Sequence, residues 1–396
     1  MKRALIRIGI VAVALVALFY LAGGWYFSGE IDSRALDGAA MRASYPGEFN
    51  LEVARMGDGT IDLVATGDEA PTSLARQGTW GLRWEDGYGR IEDASALENG
   101  VAGYSFDLVS GQPPRDGDAA QIDARAYSQV GQIPIPHQDV EIRGPLGEYP
   151  AWFWPGGSDT WAIVLHGNSM SRLDGARAVP IFADLGFPVL VPTYRNDPGA
   201  PEDPSGKLRY GLTEWVDLEA AVQYAIDQGA SDVILDGYSM GGGVIMSFMD
   251  RSPLAGRVSA LVLDAPMLNF SQTVDDNASR EILPVVGLPL PSSLTATAKF
   301  LASWRFGVDW GELDYLGVEP QVPVLIFHGA EDLTVPISTS EVYAERYPER
   351  VTLVSCPDTD HIQCWNIDPS SYRQRIDDFL ASETGMERSL AASAGT

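Results

Sequence analysis

Val233-Ile234-Leu235-Asp236-Gly237-Tyr238-Ser239-Met240-Gly241-Gly242-Gly243-Val244-Ile245-Met246 is the stretch on which the reading of the whole chain turns. A short apolar run, a turn signal and a second apolar stretch opened by glycines predict a buried strand, a tight turn and a helix, with Ser239 at the apex. Gly237 and Gly241, two positions either side of the serine, fit that geometry. A strained strand-to-helix turn brings their backbone against other chain, where a Cβ would collide. Such a turn holds a hydroxyl at a helix N-terminus, where N–H groups and the helix dipole favour a developing negative charge. A lone G-x-S-x-G also occurs in ordinary strand-to-helix turns. The reading of Ser239 as a nucleophile therefore depends on whether the chain supplies a base, an acid and a second oxyanion donor.

Strands and helices alternate on both sides of this stretch. A hairpin is expected over 139–143 and 149–154, around Pro145-Leu146-Gly147, followed by an apolar strand at 161–165. A helix over 172–185, a strand over 188–194, a helix over 213–228 and a strand over 258–263 follow. After an interruption the pattern resumes with strands at 322–327 and 350–355 and helices at 338–347 and 369–381. Near-continuous Val, Ile and Leu strands separated by helices imply an α/β fold with a mostly parallel sheet covered on both faces. Reacting groups in such sheets sit at the carboxyl ends of strands. The expected organisation is an N-terminal apolar segment (1–29), a β-rich accessory region (30–135), a catalytic domain (136–382) and a disordered tail (383–396). Within the accessory region, strands are expected at 49–55, 60–64, 88–91 and 104–109. The interruption at 265–321, with Pro284, Pro289, Pro291 and an amphipathic piece at 298–306, is expected to form a lid over the elbow.

The N-terminus has its own logic. Lys2, Arg3 and Arg7 precede an uncharged run over 8–29 that ends with Trp25, Tyr26 and Phe27. About 20 apolar residues in a helix span a bilayer, and aromatic residues favour its interface. The basic residues predict a cytoplasmic N-terminus and an extracytoplasmic remainder. The run is long for the core of a signal peptide, which favours an uncleaved anchor. Cleavage near Ala22-Gly23-Gly24, giving a secreted protein, is the alternative. Neither cysteine lies near this segment. Cys356 and Cys364, the only two, bracket Asp360 and His361, and in an oxidising compartment they suggest a bridge. A net charge of -27 excludes nucleic acid as a partner, because nothing would release counterions from phosphates, and disfavours electrostatic docking on anionic lipid. No metal-ligand spacing or repeat is present.

Four histidines narrow the search for a base. His361 lies in a polar loop after the last strand, where a base would meet Ser239. His328 and His166 end buried strands and fit local hydrogen bonding; His137 follows Pro134 and Pro136 and has no visible partners. Asp332, in the loop after the 322–327 strand, is the best placed orienting carboxylate. Glu331 beside it and Asp264 after the 258–263 strand stay open as alternatives. The second oxyanion donor is expected from the loop His166-Gly167-Asn168-Ser169, whose Asn168 N–H would join the N–H of Met240. Arg195, ending the 188–194 strand, could touch substrate, but an ion pair within its loop is favoured.

The order Ser239, Asp332, His361 on alternating strand–helix units, with the His166-Gly167 turn upstream, resembles the α/β-hydrolase superfamily over about 138–381. The elbow Gly237-Tyr238-Ser239-Met240-Gly241-Gly242 and the turn Asp332-Leu333-Thr334-Val335-Pro336 are similar to those of its serine aminopeptidase-like and monoacylglycerol-lipase-like branches. The anchored N-terminus and β-rich region resemble N-terminally membrane-anchored actinobacterial hydrolases. The resemblance implies a serine hydrolase acting on small-molecule or lipid esters through an acyl-enzyme, without metal or organic cofactor. A peptidase or amidase of the same fold, or an inert envelope interaction protein, are the rivals.

Overall fold

The computed structural model describes residues 2–39, 49–67, 74–95, 98–125, 127–168, 171–283 and 287–384. Of the expected disordered tail (383–396), residues 383 and 384 belong to the last helix, and the rest lies outside the described residues. Helix α1 (Lys2–Ile31) is apolar and long enough to cross a membrane. Lys2, Arg3 and residues 5–19 are exposed, whereas Gly24 and Ser28 are buried against the rest of the protein. One wide helical turn, Asp32–Leu36, follows. It seats Leu36, 2% exposed, in the main core, where Leu208 N donates to Leu36 O at 2.8 Å.

Strands β1 (Leu51–Met56), β2 (Thr60–Ala65), β3 (Trp80–Trp84), β4 (Gly87–Glu92), β5 (Val101–Gly111) and β6 (Ala119–Asp123) close into an antiparallel barrel in the order β1-β2-β5-β4-β3-β6. Leu51, Val53, Ile61, Leu63, Leu82 and Ile91 fill it. Four of these strands match the expected segments, and β3 and β6 are additional. β3 shows no alternation because it is buried on both faces except at Arg83. β6, Ala-Ala-Gln-Ile-Asp, has low strand propensity, and its pairing with β1 and β3 closes the barrel.

Beyond the barrel, β7 (Gln138–Gly144) and β8 (Gly147–Trp154) form the expected hairpin. The chain continues through β9 (Thr160–Leu165), α2 (Arg172–Gly175), α3 (Val179–Asp184), β10 (Val189–Pro192), α4 (Trp215–Asp227), β11 (Asp232–Tyr238), α5 (Met240–Arg251) and β12 (Val258–Asp264). Then come α6 (Phe270–Arg280), α7 (Ser292–Phe306), β13 (Val324–Gly329), α8 (Ser338–Arg346), β14 (Val351–Cys356), α9 (Cys364–Ile367) and α10 (Pro369–Thr384). The single helix expected over 172–185 is broken by a 3-10 turn at Ala176–Ala178, just before Pro180. A proline in a helix interior removes an N–H and clashes with the preceding turn. The interruption at 265–321 holds two helices: α6, capped by the Asn269 side chain accepting from Gln272 N, and α7, ended by Gly307 at φ 67°.

Eight strands form one sheet in the order β14-β13-β12-β11-β9-β10-β8-β7. β9 to β14 are parallel and β8 and β7 antiparallel at the edge. The chain runs from β9 outward to β10, then returns past β9 to β11. That reversal opens a crevice between the carboxyl ends of β9 and β11, the usual place for a ligand in an open α/β sheet. Apolar cores fill both faces, one around Leu218, Val222, Val244 and Phe248, the other around Phe182, Tyr238, Ile376 and Leu380.

Candidate active site

The parallel strands end in register. Gly237 pairs with Leu165, Tyr238 with Asp264, Asp264 with Phe327, and Gly329 with Cys356. The segments that follow carry His166, Ser239, Asp332 and His361 away from one edge of the sheet.

Ser239 has φ 51° and ψ -116°, a positive φ that costs a non-glycine residue energy unless its surroundings enforce it. They do so from β12: Ser239 N donates to Asp264 O at 2.9 Å, and Ser239 O accepts from Met267 N at 3.0 Å. The glycines answer the packing expected of them. A Cβ on Gly241 would lie 2.6 Å from His166 O, and one on Gly237 3.0 Å from the Gly241 carbonyl carbon. Met240 N–H, at the first position of α5, has no intrahelical acceptor and faces the same end as the serine.

His361 Nδ1 lies 2.7 Å from Asp332 Oδ2. An ionised carboxylate only accepts, so Nδ1 carries the hydrogen and Nε2 keeps its lone pair for a proton. Asp332 is fixed in turn. Its Oδ1 accepts from Thr334 N and Val335 N, both at 2.8 Å, and its Oδ2 is 3.3 Å from His328 Nε2. Burial would raise the Asp332 carboxyl, but the adjoining imidazoles, His361 foremost, outweigh it and hold the group well below the usual carboxylate range. The buried His328 does bond locally: Nε2 donates to Val335 O at 3.0 Å, and Nδ1 meets Ser340 Oγ at 2.8 Å.

The loop carrying His361 is tied on three sides. Cys356 and Cys364 are joined by a disulfide, as expected, with their Cα atoms 5.7 Å apart. Asp360 Oδ1 accepts from both Leu333 N at 3.0 Å and His361 N at 2.8 Å, binding the loop of the acid to that of the imidazole. Thr359 O and Asp360 O press on Gly329, where an added Cβ would lie within 2.3 Å and 2.5 Å of them. Past His361, the barrel closes on α9. Asn366 Nδ2 donates to Thr79 O and Ala124 O at 2.9 Å each, Thr79 N donates to Asn366 O at 2.7 Å, and Arg76 reaches Gln363.

Asp332 and His361 are thus brought together, whereas no hydrogen bond joins the Ser239 hydroxyl to His361 among the described residues. Catalytic hydrogen bonds are often long or poorly aligned in unliganded enzymes. Glu331 is exposed on the loop. Asp264 is buried, accepts from Tyr372 OH at 3.2 Å, and has no bond to the imidazole. Burial pushes its carboxyl up to about 6, against Arg177 and the two histidines. Arg195 is held in an ion-pair cluster, its Nε 2.8 Å from Asp217 Oδ2 and its Nη1 3.1 Å from Asp203 Oδ2. His166 Nε2 lies 2.8 Å from Asp197 Oδ2; burial works against its protonation, but Asp197 more than compensates and raises its pKa.

One feature escaped sequence reasoning. The Asn168 side chain donates through Nδ2 to Tyr210 OH at 2.5 Å and to Ala35 O at 3.4 Å, and Tyr210 OH donates to Ala35 O at 3.0 Å. The loop expected to supply an oxyanion donor is therefore moored to the segment that follows α1. A partner 133 residues away leaves no local signal.

No protein-family model matches the chain. It is 25% identical over 224 residues to the uncharacterized protein YqkD of Bacillus subtilis (strain 168), over 55% of this chain and 70% of that protein. It is 26% identical over 220 residues to acylamino-acid-releasing enzyme 2 of Oryza sativa subsp. japonica, over 50% of this chain and 27% of that one. In structure it is similar to the esterase Pf2001 of Pyrococcus furiosus, with a TM-score of 0.52 at 19% identity, over 66% of this chain and 98% of the other.

Proposed function

We infer from the α/β-hydrolase fold that this chain is a membrane-anchored serine hydrolase that cleaves carboxylic esters through Ser239, His361 and Asp332. The observation that carries this is the 2.7 Å pair of His361 and Asp332 at the sheet edge where Ser239 is held at a positive φ. In the proposed reaction His361 Nε2 takes the Ser239 proton as Oγ attacks the ester carbonyl. The N–H groups of Asn168 and Met240 hold the oxyanion. His361 then protonates the leaving alcohol, and afterwards activates the water that releases the acid. Asp332 stays ionised throughout, stabilising the imidazolium. The disulfide and the basic residues in the first turns of α1 support an extracytoplasmic catalytic domain on an uncleaved anchor.

A fluorophosphonate probe tests the core of this reading. Labelling of the wild type that disappears in Ser239→Ala is expected. A folded wild type that takes no label supports an inert interaction protein instead. Similarity to an acylamino-acid-releasing enzyme favours peptide or amide cleavage as the second reading. An ester series from acetyl to long chain, assayed beside aminoacyl amides, separates the two.

A further inference from the structure

We propose that helix α7 and the apolar helix α1 form one lipid-embedded unit, so that the site draws its ester from the bilayer leaflet on its own side. This rests on the anchored serine-hydrolase reading and adds to it where the substrate resides.

The two helices run side by side in the same direction. Tyr20 OH bonds Ser293 Oγ at 2.8 Å, Gly23 faces Leu294, and Gly24 faces Thr297 and Leu301. Higher up, Arg305 Nη1 donates to Trp25 O at 2.8 Å and to Ser28 Oγ at 2.5 Å, with its guanidinium 3.9 Å from the Trp25 ring centre. A Cβ on Gly24 would sit 2.7 Å from Thr297 Cγ2, so the close approach needs a glycine. Small residues at the seam and hydroxyls paired across it are how helices associate inside lipid. At 1.5 Å per residue, Tyr20 stands about 18 Å beyond Ile8, still within a hydrocarbon layer of about 30 Å. Contact with α7 begins there, so the first turns of α7 share that depth.

The outward face of α7 suits the same surroundings. Ser293, Ala296, Phe300 and Trp304 are exposed on one stripe without a charge, Phe300 at 72% and Trp304 at 73%. Both cations of the helix turn away from it: Lys299 Nζ binds Asp275 Oδ2 at 2.7 Å, and Arg305 lies on Trp25. Ile282 and Leu288, in the segment before α7, are also exposed, at 52% and 60%. Trp25 and Tyr26 extend the apolar surface onto α1, exposed at 52% and 55%. The occupant is the bilayer, because the patch continues the face of a helix that only hydrocarbon suits. With a net charge of -27, attraction to anionic headgroups plays no part.

The protein's only two cysteines are bridged, so a single introduced cysteine takes a nitroxide label selectively. The full chain is labelled in turn at Phe300→Cys, Trp304→Cys, Leu15→Cys and, on the barrel, Leu108→Cys, in phosphatidylcholine vesicles. Collision with oxygen is compared with collision with a water-soluble nickel chelate. Labels at 300, 304 and 15 in lipid, with 108 in water, are expected. Labels at 300 and 304 in water while 15 is in lipid overturn the proposal and leave the anchor standing. A label at 15 in water overturns both. In the same vesicles, Phe300→Gln/Trp304→Gln should lower turnover of a long-chain ester relative to a soluble acetyl ester about tenfold. An unchanged ratio overturns the substrate route. If the wild type hydrolyses neither ester, the serine-hydrolase reading and the substrate route fall together, and the label depths alone decide whether the α7 face enters lipid.

Discussion

Asp332 faces two imidazoles with one oxygen, and its other oxygen is taken by two backbone N–H groups. Replacing it by Asn keeps the shape but offers an amide to His361 and favours the wrong tautomer. Asp332→Asn should lower kcat about 10⁴-fold with little change in KM, measured as initial rates on a soluble ester. Asp264 makes a separate prediction. Its carboxyl is pushed from an ordinary 3.8 to about 6, chiefly by burial. Between those values the folded state keeps a proton that the unfolded chain releases, so stability falls as pH rises through that window. Asp264→Asn lacks this loss. Its stability relative to wild type should be lowest below about pH 4 and climb by about 3 kcal/mol to a plateau above pH 6, read by denaturant titration across pH. The positions of Ser239, Asp332 and His361 were legible because each follows a strand whose apolar run announces it. Asn168 was expected to act only through its backbone. Its side-chain partners, Tyr210 and Ala35, are far away in sequence, and only folding brings them near.

At the scale of elements, the loop of His361 is held by a disulfide, by a glycine on β13 and by the barrel. Opening the bridge with Cys356→Ser/Cys364→Ser should cost about 2 kcal/mol, seen as a lower unfolding midpoint. If the proposed role of His361 holds, kcat should fall more than KM, since the loop carries the base and not the ester. Asn366 is fully buried, donates to two barrel carbonyls and accepts from Arg177. Asn366→Ala strands these groups and should destabilise by about 3 kcal/mol, with earlier proteolysis of the barrel than in wild type. The alternating strands of the sheet were readable because burial on both faces demands unbroken Val, Ile and Leu. Four of the six strands of the barrel were readable. Its regular strands alternate, whereas β3 and β6 take their conformation from their neighbours rather than from their own residues. The break at Ala176–Ala178 was not anticipated, although Pro180 just after it is the residue that favours one.

At the scale of the whole molecule, α1 has two parts with different duties. Residues 5–19 are exposed, and its second half packs on α7 and leads to the seat of Leu36. Removing residues 1–19 should leave the fold intact. Removing residues 1–31 takes away the seam with Leu294 and Leu301 and the bonds of Arg305 to Trp25 and Ser28, and should lower the melting temperature below that of the shorter truncation, both measured in the same detergent. Composition led to the expectation of an anchor, a β-rich region, a catalytic domain and a tail, but not of the grip of α1 on the α/β body, because Gly23, Gly24 and Ser28 look the same in any apolar helix.

That grip leaves no leash. A flexible tether would let a catalytic body wander over a radius that grows with the square root of its length. Here Leu36 is sunk in the core and Ala35 O is bonded within a few residues of the helix, so the described tether has no slack to let out. On the proposed reading, an ester hydrolase planted in a bilayer this way sweeps a plane rather than a volume. Its velocity should follow the mole fraction of ester in the surrounding lipid, and diluting that ester with inert lipid at constant bulk concentration should slow it in proportion.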